Sequence, residues 1–538
     1  MTQNAGTFRR LGTMIDCSRN AVMRPEEVCR WAKETRELGY NMLMLYTEDV
    51  YEIEGYPYFG YGRGRYTREE LKRIDAYCQS IGMELIPCIQ TLAHLDGIVR
   101  WKTFKPYIDT EDILLIDDDR TYALIDAMLR TCAECFTSRV INIGMDEAHM
   151  VGHGKYYDLH GDSNRFELLM HHLERVAEIG RKYGFTMLMW SDMFFRLATG
   201  GVYCVPDAKI DPLVSERIPD GVELVYWDYY STDFSRYDGM LAAHDRLKPG
   251  AWFAGGLWTW YGPAPHNRYT IETTIPAFDA CRKRGVKDVF MTIWGDDGGE
   301  CSRWAILPSL YYTAMLAKGV TDPDEIKAGF LKRYGVSFDD FMLLDLPGTG
   351  SDIGRCAPDK QLLFNDPFLG LYDSTLMGSE AASYRAAAEK LEAADCGAYR
   401  LQFETIAALA RVLELKADLG QRTRAAYADG KKALKAVADD YDALLPRLER
   451  LYEATRAQWL AENRPQGFEV QDIRLGGVIR RVDDCRRTLR AYLAGELERI
   501  EELEQPQLDV ECGDTFARQP CRKFHRWRHI VSPGSIGM

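Results

Sequence analysis

No apolar run in this chain approaches the roughly 18 residues needed to cross a bilayer, so no membrane-spanning helix is expected. The opening stretch, Met1 to Arg10, lacks an apolar core segment, and neither signal peptide nor anchor is expected there. Positive charge is also in deficit. A net charge of −14 disfavours nucleic acid and anionic membrane surfaces as partners. Metal-binding signatures are missing: there is no HExxH, and the ligand-like spacings that occur are poor ones. Cys132 and Cys135 fall in an expected helix without a second pair nearby, and read as buried thiols. His149 and His153 sit among Gly152 and Gly154, which makes that segment a loop and not a ligating helix face. No metal or cofactor is expected. Fourteen cysteines without a secretion signal read as free thiols, and the cytoplasm is the expected compartment.

What is present is a long alternation. From Leu11 to about Ala317, short β-branched or apolar runs alternate with amphipathic stretches. The strands are expected at Gly12–Asp16, Asn41–Tyr46, Glu84–Gln90, Val140–Gly144, Thr186–Ser191, Glu223–Asp228, Trp252–Trp258 and Asp288–Trp294. Helices such as Pro25–Leu38, Arg68–Ile81, Thr121–Phe136 and Phe166–Tyr183 lie between them. Gly39, Gly82, Gly184 and Gly285 each end a helix just before a strand, as a C-cap glycine does. Eight such units fit a (β/α)8 TIM barrel over residues 1–318. Residues 319–505 read as an α-helical C-terminal domain, with helical spacing at Ile406–Leu409–Leu413, Leu434–Val437–Tyr441–Leu444 and Leu489–Leu493–Leu497–Ile500. Its helices are expected to break at Pro446 and around Pro465–Gly467. Leu346–Pro358 reads as a surface loop. Residues 506–538 read as a tail with a short strand at Leu508–Cys512 and a solvated basic cluster at Arg522–Arg528. The helical domain offers a surface for a homodimer.

A barrel of this kind builds its site at the C-terminal ends of the strands. The residues there are Asp16 with Arg19, Glu48 with Asp49, Gln90 with His94, and Asp146 with Glu147. Next come Trp190 with Asp192, Trp227 with Asp228 and Tyr229, Trp258 with Trp260 and Tyr261, and Trp294 with Asp296 and Asp297. Aromatic walls with carboxylates between them suit a sugar, whose C–H faces are apolar and whose hydroxyls need acceptors. The pair Asp146–Glu147 stands out. Two adjacent acids leaving a buried strand repel each other, which gives a neutral acid beside an anion, the equipment for breaking an acetal bond.

These motifs resemble glycoside hydrolase family 20, the β-N-acetylhexosaminidases. The family's fourth-strand motif His-x-Gly-Gly-Asp-Glu is similar to Asn142-Ile-Gly144-Met145-Asp146-Glu147, and its third-strand Pro-Glu-Ile-Asp-Met-Pro-Gly-His to Pro87-Cys-Ile-Gln90-Thr-Leu-Ala-His94. Met14-Ile15-Asp16-Cys17-Ser18-Arg19 and Ile293-Trp294-Gly-Asp296 resemble the first- and eighth-strand patterns. Asn142, Met145 and Gln90 depart from the family motifs, and a helical domain follows the barrel. The pattern is that of a divergent, intracellular branch.

The resemblance implies that the substrate's own 2-acetamido oxygen acts as nucleophile, through an oxazolinium ion with retention. Glu147 would be the general acid, and Asp146 would stay ionised to orient the acetamide. Trp190, Trp227, Trp258 and Trp294 would enclose the ring, and Asp16, Arg19, Asp228 and Asp296 would bind the sugar, with Asp297 or Glu300 as further candidates. A tyrosine would hold the acetamide oxygen. Tyr229, on the same side of its strand as Trp227, is preferred to Tyr261. Arg10 competes with Arg19 for the arginine role. His94, with Asp49, would tune Glu147 or else be structural. The implied partner is a small N-acetylated oligosaccharide. Two other classes are weighed: a metal-dependent barrel lyase or isomerase using Asp146, Glu147 and His149, and a non-catalytic glycan-binding protein.

Overall fold

The computed structural model describes residues 8–296, 298–349 and 358–508. Eight parallel strands close a barrel: β1 (Arg10–Asp16), β2 (Met42–Tyr46), β3 (Glu84–Cys88), β4 (Val140–Asn142), β5 (Thr186–Trp190), β6 (Val222–Trp227), β7 (Trp252–Gly256) and β8 (Asp288–Ile293). Each strand pairs with its sequence neighbours, and β8 returns to β1 in register Arg10↔Asp288 through Ile15↔Ile293. All eight strands expected from the alternation are present. Their C-terminal ends come earlier than the apolar runs at β3, β4 and β7, because the chain there leaves the ladder while staying buried.

The intervening helices follow their local signals. Pro25–Leu38 starts with proline in its first turn and ends on Gly39 at φ 103°, whose N–H bonds the Arg36 and Thr35 carbonyls. Arg68–Ser80 opens with a capping box between Thr67 and Glu70. Met14, Met44, Ile86, Leu188, Val225 and Phe290 fill the lumen, and a second core lies between the strands and the helices.

The helical domain is built around Arg400–Lys416, Lys431–Glu462 and Phe468–Ala494. Leu409, Leu413, Tyr441, Leu444, Val482 and Leu489 form its core. Two expectations need correction. The helix Lys431–Glu462 runs through Pro446 without a break, since one lost backbone donor is tolerable in a helix held along its length by packing. The heptad-like run from Leu489 stops at the Gly495 cap, so Leu497 is exposed and Ile500 belongs to the next segment. The break at Pro465–Gly467 is present. Positions 350–357 of the expected loop, the proposed strand beyond Leu508 and the basic cluster Arg522–Arg528 lie outside the described residues.

The helical domain docks on the C-terminal rim of the barrel. The Arg24 N–H bonds the Glu462 carbonyl at 3.0 Å, and the Arg464 N–H bonds that of Val22 at 2.8 Å. Arg303 donates to Asn463 Oδ1 at 3.1 Å and also to the Asp16 carbonyl. Gly467, at φ +92°, lies so close to the Asn20 carbonyl that a Cβ would sit 2.3 Å from its oxygen. Gly495 has a similar φ of +82° but open space around it. Gly467→Ala is therefore expected to cost about 2–3 kcal/mol by chemical denaturation, against about 1 kcal/mol for Gly495→Ala, where only the left-handed backbone is penalised.

Candidate active site

The site starts where β4 ends. After Asn142 the backbone turns through Gly144 at φ 73°, Met145 at 71° and Glu147 at 51°, a left-handed run that non-glycine residues rarely adopt. Gly144 admits no side chain, because a Cβ would lie 2.0 Å from Gln90 Oε1 and 2.8 Å from the Ile89 carbonyl. The turn is held by Gln90. Its Oε1 accepts the Met145 N–H at 3.2 Å, and its Nε2 donates to Asp146 Oδ1 at 2.7 Å and to the Tyr46 hydroxyl at 2.9 Å.

On its other side Asp146 faces His94, whose Nε2 is 3.2 Å from Asp146 Oδ2 and 3.7 Å from Glu147 Oε2. His94 is itself at φ 57°, with its N–H bonded to Asp112 Oδ2 at 2.9 Å. Burial opposes a charge on the ring, but the Asp146 carboxylate outweighs it and raises His94 to about 10. Burial likewise pushes Asp146 up, while the His94 charge and the Gln90 hydrogen bond push harder downward and keep it ionised. Asp49 is not the acid facing His94. It is buried against Arg63, and Glu48, pushed up to about 7 by burial against the pull of Arg19 and His94, is the acid that adds to the effect of Asp146 on the ring.

Glu147 is oriented differently. Its side chain is 37% exposed against 11% for Asp146, so it stands nearer the mouth. Its N–H bonds Asp192 Oδ2 at 2.9 Å, and Asp192 Oδ1 accepts from Trp227 Nε1 at 3.4 Å. Burial and the Asp146 charge raise Asp192 above its ordinary range. Tyr203 donates its hydroxyl to Glu147 Oε1 at 3.2 Å and lies 2.9 Å from His149 Nε2. A hydroxyl has one proton, so while it serves Glu147 the His149 ring must carry its proton on Nε2. His149 is lowered to about 4 by burial and nearby arginines, and stays neutral. Tyr203 had no signal in the sequence: it sits in a glycine-flanked loop, far from any strand end.

The cavity over these acids is walled by Trp190, Trp227, Tyr229, Tyr230, Trp260 and Trp294, with Arg19 and Asp296 at its edge. Trp227 and Tyr229 stack at 5.3 Å, and Trp260 meets Tyr229 edge-on. Arg19 lies over the Tyr46 and Trp294 rings, within 3.2 Å of Asp16, 3.5 Å of Asp296 and 3.6 Å of Glu48.

Several sequence expectations are displaced. Trp258 is fully buried behind Trp260, stacked on it at 4.1 Å, because β7 ends at Gly256 and strand alternation no longer governs the turn. Asp228 points away, to Arg236 at 2.7 Å and the Tyr226 hydroxyl at 3.1 Å, as alternation with Trp227 and Tyr229 requires. Asp16 is buried and spends its oxygens on Ser18, Arg19 and the Gly295 N–H, so it positions Arg19 without reaching the cavity. Tyr261 packs against Trp258 and is not part of the wall. Arg10 belongs to the opposite end of the barrel, bonded to Glu84 and Asp288. Glu300 is buried against the helical domain, and Asp297 lies outside the described residues. Cys132 and Cys135 are buried thiols in one helix. Among the described residues, no group of three or more His, Cys, Asp or Glu side chains is arranged to hold a metal ion.

Residues 339–520 match the family model described as the Glycoside Hydrolase 20C C-terminal domain. A stretch of 238 residues is 26% identical to Hexosaminidase D of Bos taurus, covering 43% of this chain and 64% of that protein. The chain is thus similar, over its C-terminal third, to a domain of glycoside hydrolase family 20 and, over a further partial stretch, to a hexosaminidase. Human Hexosaminidase D is 26% identical over 203 residues, 36% of this chain and 40% of the relative, so the likeness spans only part of the curated relatives. Two solved family 20 structures align with low scores. The exo-β-N-acetylglucosaminidase of Vibrio harveyi in complex with N-acetylglucosamine has 17% identity over 63% of this chain and 58% of that one, with a TM-score of 0.47. The β-N-acetylhexosaminidase of Streptomyces coelicolor has 20% identity over 61% and 70%, with a TM-score of 0.44.

The His94–Asp146 pair has a pH signature. His94 is raised from 6.5 to about 10, so the stability it adds is complete below about 6.5 and is lost as pH rises through about 10. His94→Gln should flatten the denaturation midpoint over that window relative to the wild type. It should also let Asp146 rise, which NMR titration of the Asp146 carboxyl would read as a shift to higher pH.

Proposed function

We propose that this protein is a retaining exo-β-N-acetylhexosaminidase that releases terminal β-linked N-acetylglucosamine or N-acetylgalactosamine with the help of the substrate's acetamide group. The observation that carries this reading is the unequal pair of neighbouring acids. Asp146 is buried and kept anionic by Gln90 and a charged His94, while Glu147 stands nearer the mouth with Tyr203 on its carboxyl group.

In this scheme the acetamide oxygen attacks the anomeric carbon as Glu147 protonates the departing oxygen. Asp146 accepts the acetamide N–H and stabilises the charge that develops on the oxazolinium ring. Water, deprotonated by Glu147, then opens that ring with retained configuration. Tyr229 is the hydroxyl we assign to the acetamide oxygen, since it lines the cavity and Tyr261 does not. Trp190, Trp227, Trp260 and Trp294 pack on the sugar's apolar faces, and Arg19 and Asp296 take its hydroxyls. The described cysteines are free thiols, which supports a reducing, cytoplasmic setting and small soluble oligosaccharides as substrates. No described helix is long and apolar enough to cross a membrane. The helical domain offers a surface for a homodimer, and light scattering of the purified chain decides between monomer and dimer.

Glu147→Gln should lower kcat by about 10²–10⁴ on N-acetylated oligosaccharides and much less on an activated aryl glycoside, which needs little protonation. Asp146→Asn should slow both alike. Equal losses for Glu147→Gln on the two substrates would remove Glu147 as the acid. Cleavage of a plain aryl β-glucoside as fast as the N-acetylated one would overturn the acetamide mechanism, because that sugar carries no internal nucleophile.

A further inference from the structure

The stretch after β8 carries Asp296 into the cavity, and the helical domain grips it at several points. Arg474 Nη1 donates to Glu300 Oε1 at 2.9 Å, Lys360 Nζ lies 2.8 Å from Glu300 Oε2, and Gln471 Nε2 donates to the Gly298 carbonyl at 3.1 Å. The three charged side chains are between 1% and 7% exposed. A buried ion cluster is a poor device for stability alone, since apolar packing of the same volume does as well or better. What it provides is a fixed geometry. Gly298 fits directly under the guanidinium, where a Cβ would lie 2.4 Å from Arg474 Nη1. Arg474 also reaches the site. With Arg19, Glu48, Arg63 and His94 it lines a cleft of about 280 Å³ that shares Arg19 and His94 with the catalytic cavity.

We propose that Arg474, with Lys360 and Gln471, is a positioning cluster through which the helical domain sets Asp296 against Arg19, and so sets the binding of sugar hydroxyls. The chain of contacts is short. Arg474 holds Glu300 and Gln471 holds Gly298; Gly295, three residues earlier, bonds Asp16; Asp16 and Asp296 both meet Arg19. The helical domain is then part of the binding site, although none of its residues is assigned to the chemistry. The proposal rests on the sugar-hydrolase reading for its assay.

The test uses the full chain with an aryl β-N-acetylglucosaminide, and calorimetric binding of N-acetylglucosamine as a readout independent of turnover. Arg474→Ala should raise KM and weaken N-acetylglucosamine binding about tenfold or more while kcat changes less than about threefold. Arg474→Lys should recover most of the loss, and added guanidinium ion at millimolar concentration should lower the KM of Arg474→Ala without affecting wild type. Arg464→Ala, which breaks a docking contact to Glu70 on the same rim, should leave KM unchanged. If Arg474→Ala does not fold, Gln471→Ala, which removes one neutral hydrogen bond, should show the same split to a smaller degree. An unchanged KM in folded Arg474→Ala or Gln471→Ala, or an equal rise in Arg464→Ala, overturns the positioning role while the hydrolase reading stands. A wild-type protein that neither cleaves nor binds the sugar overturns both.

Discussion

Everything at the mouth of this barrel is arranged around a carboxylate that must stay charged where water scarcely reaches it. Burying Asp146 would normally protonate it, because an unpaired charge in a low-dielectric interior costs several kcal/mol. Gln90 and His94 offset that cost, one by a 2.7 Å hydrogen bond and the other by its own positive charge. The consequences spread outward. His94 is held as a cation well above its ordinary range, burial and the same negative charge raise Asp192 toward its neutral form, and the backbone takes up left-handed conformations at Gly144, Met145 and Glu147 that set two neighbouring side chains at different depths. A strand continued in regular geometry would have sent Asp146 and Glu147 to opposite faces of the sheet. The strained turn brings both to the same cavity.

A second theme is that charges around the cavity come already paired. Arg19 has Asp16, Glu48 and Asp296; Arg63 has Asp49; Arg474 has Glu300. Such a rim presents donors and acceptors without a large net field, which suits a neutral polyhydroxylated ligand better than an anion. The pairing also ties the barrel to the helical domain, since one member of the Arg474–Glu300 pair comes from each. The same rim holds Arg303, bonded to the Asp16 carbonyl at the end of β1 and to Asn463 of the helical domain. The two parts of the chain meet through polar contacts that border the site, in addition to a core that runs continuously from the barrel helices into Phe330, Phe341 and Phe403.

Much of this was legible in the residue order, and the failures have identifiable causes. Period-two and period-3.6 patterns located all eight strands and the first helices to within a few residues, because each element buries a face that its own sequence must supply. The same alternation, carried through consistently, would have turned Asp228 away once Trp227 and Tyr229 were placed inward. It had no authority at Trp258, beyond the end of β7, where the turn buries Trp258 and presents Trp260. Gln90 was visible as a strand-end residue and as a departure from a family motif, but not as the group that holds the Asp146 turn. Tyr203 and Arg474 were not visible at all. One lies in a loop, the other on a helix far along the chain from Asp146, and no local pattern records a contact made at such a separation.

The sequence by itself determined the barrel, the helical character of the C-terminal domain, and the end of the barrel at which acids and tryptophans gather, because these depend on periodicity within single elements. Tertiary structure alone decided which of those residues face the cavity, which acid is ionised, and that the helical domain reaches the rim of the site. Those outcomes depend on burial and on charges brought together from distant parts of the chain, and neither quantity exists until the chain has folded.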